Sequence, residues 1–229
     1  MIAQCIAIIP ARGGSKGIPG KNLINIAGKP LVAWSIEHAL KSTLIDAVWV
    51  TSDSQEILDV ASNYGANTIL RPDDISDDLS TSESAWIHAL DEIEKKHTVT
   101  LVVGMQATSP IRGDTDLDRA IKKFYDNKLD SLLSVTEVED YFEWRLGVTG
   151  AESTNYDFKD RKRRQDIEAK YLENGSFYLF SPRLIRETNN RLGGKIGIFE
   201  QERYKMYQID NVGDVALCEA ILVGYGLKS

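Results

Sequence analysis

Three cations and four glycines stand close together near the start of the chain. The cations are Arg12, Lys16 and Lys21, and the glycines fall between positions 13 and 20. Glycine lets backbone N–H groups approach an anion closely, and the cations can neutralise phosphate oxygens. We therefore predict a triphosphate-binding loop; the alternative is a glycine-rich turn with solvated lysines.

The spacing within this loop differs from two common phosphate-binding motifs. Asn22 follows Gly20 and Lys21 where a Walker loop has Ser or Thr, and Ser15 stands where that loop has its first glycine. The glycines also lack the spacing of a dinucleotide fingerprint. The loop does follow an apolar run that we interpret as the first strand, and ligands of open α/β sheets bind outside the carboxyl ends of strands.

Short β-branched runs alternate with helical patterns through the first half of the chain. Helices are predicted after Pro30 and over Ser82–Lys96. The alternation predicts a doubly wound α/β domain with a mainly parallel sheet. The predicted strands of this half are Cys5–Ile9, Ala47–Thr51, Asn67–Leu70, Thr100–Val103 and Ser131–Val135.

The pattern changes after Val135. Residues 137–173 are polar and include a basic run, so we predict an inserted arm there, on a main domain formed by residues 1–136 and 174–229. A closing helix is predicted from Val212. Strand character returns at Ser176–Phe180, Lys195–Phe199 and Met206–Ile209.

Composition narrows the classes of partner. A formal net charge of -7 and a pI near 5.1 argue against nucleic-acid binding. No apolar run approaches the roughly 20 residues that span a bilayer, so no membrane insertion is expected. Cys5 and Cys218 suggest neither a disulfide scaffold nor a metal cluster, and a reducing cytoplasm is the simple interpretation.

Six blocks of residues, in order along nearly the whole chain, resemble one family. The blocks are Ile9–Asn22, Leu70–Pro72, Gln106–Arg112, Arg163–Asp166, Glu173–Tyr178 and Gln208–Asp210. They resemble the acylneuraminate (sialic acid) cytidylyltransferases, and the resemblance implies a Rossmann-like nucleotidyltransferase domain. It also implies that the anomeric hydroxyl of an acidic nine-carbon sugar attacks the α-phosphorus of CTP and releases pyrophosphate.

The resemblance implies roles for the cationic loop and for residues further along the chain. Arg12, Lys16 and Lys21 would hold the phosphates, and Lys21 would stabilise the charge of the departing pyrophosphate. Asn22, Arg71 and Ser82 would contact the nucleotide as well. From sequence alone Arg71 could equally be a surface arginine, and Ser82 could simply cap its helix.

The sugar pocket has three candidates by the same resemblance. Gln106 would hydrogen-bond the sugar, although it could be a turn amide. Tyr178 is a weaker candidate, because strand alternation could bury it in the core. Arg164 would face the substrate from a dimerisation arm that reaches over a partner's active site; the alternative is a solvated basic arm.

The expected magnesium site departs from the family pattern. Many relatives carry Asp-Ile-Asp, whereas this chain reads Gln208-Ile209-Asp210. Residues two apart on a strand share a face and can share a hard cation. Asp210 is therefore the expected ligand and Gln208 an uncharged second donor, while Asp214 is expected in the first turn of the last helix.

Two other functions stay open at this level. One is a nucleotidyltransferase acting on a different sugar, such as deoxyoctulosonate or a sugar 1-phosphate. The other is a nucleotide sensor without catalysis, against which Lys21 and Asp210 argue.

Overall fold

The apolar residues of the first strand alternate between two helix layers. A computed structural model describes residues 3–15, 17–77, 79–138 and 142–227. In β1 (Ala3–Pro10), Ala7 and Ile9 pack into one buried cluster and Ile6 and Ile8 into another. A strand buried on both faces is typical of a central parallel strand.

The described residues form eleven strands and six α-helices. After β1, the strands are β2 (Asn25–Ile26), β3 (Lys29–Pro30), β4 (Ala47–Ser52), β5 (Asn67–Leu70), β6 (Thr98–Met105), β7 (Ser131–Val138), β8 (Trp144–Gly147), β9 (Gly150–Ser153), β10 (Lys170–Phe180) and β11 (Ile196–Glu200). The helices are α1 (Leu31–Lys41), α2 (Gln55–Asn63), α3 (Ser82–Ile93), α4 (Asp116–Asp126), α5 (Pro182–Thr188) and α6 (Val212–Gly224).

Seven strands form the central sheet in the order β11-β7-β10-β6-β1-β4-β5. All neighbouring pairs are parallel except those of β10, which runs antiparallel to both β6 and β7. Helices α1, α2 and α4 cover one face, and α3 and α5 cover the other. The predicted doubly wound, mainly parallel α/β fold is confirmed. None of the helices in the described ranges is both long and apolar enough to span a membrane.

One predicted strand is wrong. Residues Arg203–Met206 form a 3-10 helix, and residues 207–210 are irregular rather than paired in the sheet. Ile209 is fully buried against α6, and its N–H donates to the carbonyl of Thr108 at 2.8 Å. The apolar alternation therefore reflects packing under the last helix and not a sheet ladder.

The segment predicted as an arm leaves the sheet between two neighbouring strands. Strands β7 and β10 pair antiparallel out to Val138 and Lys170, and β8 and β9 form a hairpin between them. The division into a main domain and an arm at residues 137–173 stays a prediction.

The last helix packs over the loops that surround the site. In α6, Cys218 and Leu222 are fully buried in a cluster with Ile18 of the cationic loop and Ile209. Asn211 caps this helix and Asp214 completes a capping box, so the prediction that Asp214 belongs to the first helical turn is confirmed.

Burial of His38 on α1 predicts a pH dependence of stability. Desolvation, then the charges of Arg112 and Lys41, lower the pKa of His38 to about 3. Between that pH and the usual histidine pKa the unfolded chain binds the proton and the folded chain does not, so stability rises with pH. Lowering the pH from about 7 to about 5 should reduce the unfolding free energy by about 2 kcal/mol.

Urea unfolding at several pH values measures this effect. In His38→Gln the free energy of unfolding should vary less steeply across that window than in the wild type. Equal slopes for the two proteins would show that His38 does not cause the dependence.

Candidate active site

The cationic loop is fixed to the sheet by backbone hydrogen bonds. The N–H of Ala11 donates to the carbonyl of Thr51 at 3.0 Å, and the N–H of Gly13 donates to Oδ1 of Asp53 at 2.8 Å. Nδ2 of buried Asn22 donates to the carbonyl of Arg12 at 2.9 Å. Asn22 therefore closes the loop on itself as well as lining the cavity beside it.

Close packing at Gly17 joins this loop to the segment that carries Asp210. A Cβ at Gly17 would lie 2.3 Å from the carbonyl oxygen of Asp210, which no side chain could tolerate. The glycine is thus required for the approach of two segments that are far apart in sequence.

A cavity of about 280 Å³ lies at the carboxyl ends of β1 and β6. The loop supplies its cations, α3 supplies a hydroxyl, and the segments after β6 and before α6 supply amides and a carboxylate. The predicted site residues that line it are Arg12, Lys21, Asn22, Ser82, Gln106, Gln208 and Asp210.

Lys21 and Asp210 form an ion pair at this cavity. Nζ of Lys21 lies 3.0 Å from Oδ1 of Asp210, and the two side chains are 14% and 69% exposed. The carboxylate of Asp210 is the exposed partner, so an incoming cation can reach it. The arrangement places a fixed cation and an accessible oxygen ligand side by side.

A second cavity of about 230 Å³ adjoins the first and shares Arg12 and Ser82 with it. Arg71 lies here, nearly buried, and its Nε donates to Oγ of Ser76 at 2.9 Å. Burial lowers the pKa of Arg71, and the attraction of Asp53 opposes that shift. The two cavities together form one cleft with cations along its length.

Ser82 is not the cap of α3. Thr81 occupies the N-cap position, and its side chain accepts a hydrogen bond from the N–H of Ser84. Ser82 instead stands in the first turn, at the boundary of the two cavities. Helix N-termini favour anions, which suits a phosphate-binding position.

Two amide side chains that line the larger cavity flank Gly175. Gly175 has a φ of +65°, and a Cβ there would lie 2.6 Å from Nε2 of Gln208 and 3.1 Å from Oε1 of Gln106. Nε2 of Gln208 donates to the carbonyl of Asn174 at 2.6 Å, and its Oε1 accepts from the hydroxyl of Thr108 at 3.4 Å. Because the Nε2 atom is engaged by backbone, the amide oxygen is the atom that Gln208 can offer to a ligand.

Tyr178 does not line either cavity. It is 2% exposed, its ring lies edge-on to Trp86, and the guanidinium of Arg191 stands 4.4 Å from the ring centroid. The hydroxyl donates to Glu173, and burial raises the pKa of the phenol. The alternation of β10 directs this side chain into the core under α3, which was the alternative left open by the sequence.

Two predicted residues cannot be placed. Lys16 lies outside the described residues. The backbone of Arg164 begins the 3-10 helix Arg164–Asp166, but its side chain also lies outside what the structure describes. Their predicted roles stay predictions.

Sequence reasoning gave no role to Thr108 and Arg112, although both belong to the block Gln106–Arg112. Thr108 lines the cavity, and buried Arg112 donates a hydrogen bond to the carbonyl of Gln106. The available signal was an arginine within a run that is otherwise uncharged and small. Only the folded loop shows that the arginine turns inward.

The described residues hold no group of three or more His, Cys, Asp or Glu side chains that could by themselves enclose a metal. Asp214, the carboxylate nearest in sequence to Asp210, accepts from the N–H groups of Asp210 and Asn211 at 2.8 and 2.9 Å. Magnesium, however, often takes only one or two protein carboxylates and completes its sphere with substrate phosphates and water. The donor set of Asp210 and the amide oxygen of Gln208 fits that mode.

A cleft with cations on a glycine-rich loop, at the carboxyl end of the first strand of a doubly wound sheet, defines a nucleotide-binding α/β enzyme. Comparison with known proteins then gives the family. The family model described as Cytidylyltransferase matches residues 6–221. The chain belongs to the cytidylyltransferase family.

Individual relatives agree with this assignment. Pseudaminic acid cytidylyltransferase of Campylobacter jejuni subsp. jejuni serotype O:23/36 (strain 81-176) is 33% identical over 221 residues, which cover 94% of this chain and 95% of that protein. N-acylneuraminate cytidylyltransferase A of Danio rerio is 35% identical over 225 residues, or 96% of this chain and 51% of that protein.

A solved structure shares the fold at low identity. It is CMP:2-keto-3-deoxy-manno-octonic acid synthetase complexed with CTP, with a TM-score of 0.74 and 15% identity; the match covers 97% of this chain and 100% of that one. The resemblance to the cytidylyltransferases that the sequence motifs suggested is confirmed.

Proposed function

We propose that this enzyme transfers CMP from CTP to the anomeric hydroxyl of a sialic-acid-like nonulosonic acid and releases pyrophosphate. The observation that carries the proposal is the Lys21–Asp210 ion pair at 3.0 Å, in a cleft that Arg12 and Ser82 extend toward Arg71. The pseudaminic acid and N-acylneuraminate enzymes among its relatives support the class of sugar.

The geometry suits phosphoryl-type transfer, which depends on placement and charge stabilisation more than on covalent help from the protein. Arg12 and Lys21 would neutralise the triphosphate, and Lys21 would stabilise the charge that develops on pyrophosphate. Asn22, Ser82 and Arg71 would hold the rest of the nucleotide. Gln106, which lies beside Gln208 at Gly175, would hydrogen-bond the sugar.

Magnesium would be held by Asp210, with Gln208 as a neutral second donor, and would neutralise phosphate charge when bound. Asp210 is exposed and faces the same cavity as Lys21. The ion pair keeps the carboxylate oriented toward the triphosphate loop.

Gln208→Asp tests the metal end of the site. If position 208 faces the metal, the added charge should lower the magnesium concentration for half-maximal activity, by about threefold to tenfold. A magnesium titration of pyrophosphate release measures it, and Thr108→Val, which removes only the hydroxyl that contacts Gln208, is a control. A titration unchanged from the wild type would place Gln208 outside the metal sphere.

The substrate pair is tested by a matrix of the four ribonucleoside triphosphates against several sugar acids, scored by pyrophosphate. N-acetylneuraminate, its deaminated form, legionaminate and pseudaminate differ in small groups, and deoxyoctulosonate represents the alternative substrate, so all five belong in the matrix. We expect turnover with CTP and at least one nonulosonic acid. Turnover with deoxyoctulosonate alone would assign the alternative sugar, and CTP binding without any turnover would contradict the enzyme proposal.

We further propose a homodimer in which the arm reaches the partner's site and brings Arg164 near the sugar. In the β8–β9 hairpin region Leu146 and Val148 are almost fully exposed and Trp144 is about half exposed, so large apolar side chains lie on its surface. Light scattering at assay concentration decides between one and two copies.

The cytoplasm is the proposed location. Cys5 and Cys218 are free and buried, and burial raises the pKa of each thiol to about 12. Unpaired, unreactive thiols are typical of proteins from reducing compartments.

A further inference from the structure

Strand β10 contains a bulge next to the larger cavity. Its pairing register with β7 shifts between Glu173 and Tyr178, and Gly175 lies in the shifted stretch with a φ of +65°. A left-handed conformation favours glycine, and bulges beside active sites direct the groups around them. This bulge brings Gly175 close to the side-chain amides of Gln106 and Gln208, which line the cavity.

The backbone on either side of Gly175 binds both of these residues. The carbonyl of Asn174 accepts a hydrogen bond from Nε2 of Gln208 at 2.6 Å. The carbonyl of Ser176 accepts one from the N–H of Gln106 at 3.3 Å. Because the bulge supplies an acceptor to each residue, a shift of its backbone would move both amides within the cavity.

The side chain of Asn174 fixes the backbone of the bulge. It is buried, and its Oδ1 accepts from Oγ of Ser134 at 2.6 Å and from the N–H of Ser176 at 3.2 Å. Its Nδ2 donates to Oε1 of Gln201 at 3.0 Å and to Oγ1 of Thr136 at 3.3 Å. A primary amide has two donors and an acceptor oxygen with two lone pairs, so Asn174 uses its full hydrogen-bonding capacity. The bulge is thus anchored to β7 and to the segment after β11.

A second layer of contacts fixes the orientation of Gln201. Its Nε2 donates to Oδ2 of Asp116 at 2.9 Å, and Asp116 forms an ion pair with Lys205 at 2.9 Å. Because Nε2 faces the carboxylate, Oε1 faces Asn174 and accepts from its Nδ2. Asn174 and Gln201 line neither cavity, so their effect on a ligand passes through the bulge.

We propose that Asn174 is a positioning residue for the acceptor sugar, because it holds the bulge against which Gln106 and Gln208 place their amides. This inference rests on the proposed function, in which Gln106 hydrogen-bonds the sugar. Binding groups must be held to within a fraction of an ångström by the residues behind them. CTP is held by the triphosphate loop and Arg71, which other elements position, so its binding should depend little on Asn174.

Asn174→Ala tests this role, because it removes four hydrogen bonds from the bulge. The KM for the nonulosonic acid that the wild type turns over best should rise about tenfold, while the KM for CTP stays within about twofold. Steady-state kinetics with each substrate varied in turn measure both constants. Ile93→Ala, a buried truncation at the end of α3 opposite Ser82, controls for lost stability and should change neither KM. An equal rise of both KM values in Asn174→Ala overturns the inference.

Two fully buried serines on β7 provide a matched pair of milder variants. Ser134 binds Asn174, whereas Ser131 exchanges hydrogen bonds with the backbone of Gly193. Ser134→Ala should raise the KM for the sugar about threefold, and Ser131→Ala should leave it unchanged. If Asn174→Ala does not fold, this pair decides the matter, and equal KM values for the sugar in the two serine variants overturn the inference.

A double-mutant cycle with Gln106→Ala tests the route by which Asn174 acts. Once Gln106 is replaced, Asn174→Ala should raise the KM for the sugar by less than about twofold. Additive effects, or an unchanged KM in Gln106→Ala itself, overturn this inference alone, since they are measured on an enzyme whose wild type is active. Absence of wild-type turnover with every nonulosonic acid overturns the proposed function, and this inference with it.

Discussion

Replacing Lys21 by alanine is expected to lower kcat for pyrophosphate release by about 10³-fold while the protein stays folded. Lys21 places its ammonium group at the cavity, 3.0 Å from Asp210, where negative charge develops on the leaving group. Lys21 belongs to none of the three hydrophobic core clusters, so we expect its removal to lower catalysis more than stability. Thermal unfolding and steady-state kinetics of the same preparation measure both properties.

The chain contains a matched control for this substitution. Lys41 forms an ion pair with Asp114 at 3.2 Å, on the surface away from the cleft. Lys41→Ala should leave kcat within about twofold of the wild type, since exposed ion pairs contribute little. Wild-type activity in Lys21→Ala would show that the proposed chemistry does not require Lys21.

The second large effect is expected for Asp210→Asn, which keeps the shape of the side chain and removes its charge. We expect kcat to fall by about 10²-fold or more and the magnesium requirement to rise, because a carboxylate is replaced by a neutral oxygen at the metal end of the site. Asp210 is largely exposed, so the fold should tolerate the change.

Asp114→Asn is the corresponding control, because Asp114 is 70% exposed and pairs with a lysine in the same way. Its kinetics and magnesium titration should match those of the wild type. If Asp210→Asn lowers kcat without altering the magnesium titration, Asp210 serves to orient Lys21 and is not a metal ligand.

The Lys21→Ala and Asp210→Asn variants also separate the roles within the ion pair. Loss of Lys21 should slow turnover at every magnesium concentration, because no metal ligand is removed. Loss of Asp210 should be partly offset by excess magnesium. If turnover depended on magnesium concentration in the same way in both variants, the pair would act only as a unit.

The sequence by itself determined the parallel sheet, the loop after its first strand and the family. Strand alternation, helix starts and the spacing of Arg12 and Lys21 are local patterns, and each is set by backbone geometry within a few residues. The resemblance of six blocks to one family predicted the class of reaction for the same reason, because each block is a short segment that can be recognised locally.

Tertiary structure alone decided which of these residues meet. Lys21 and Asp210 are 189 residues apart, and their contact depends on how α6 and Gly17 bring two segments together. Tyr178 could have faced the cleft or the core, because alternation fixes two faces of a strand but not what covers each of them. The packing of α3 over that face buried it.

The same physical reason applies to the residues that the sequence left without a role. Arg112 is an ordinary surface residue type, and only the convergence of β6, β10 and α1 turns it inward onto the carbonyls of Gln106 and Ser176. Segment 207–210 alternates like a strand but is not paired in the sheet, and its Ile209 is instead buried under α6. Long-range packing, which no local pattern encodes, thus built the site from locally predictable parts.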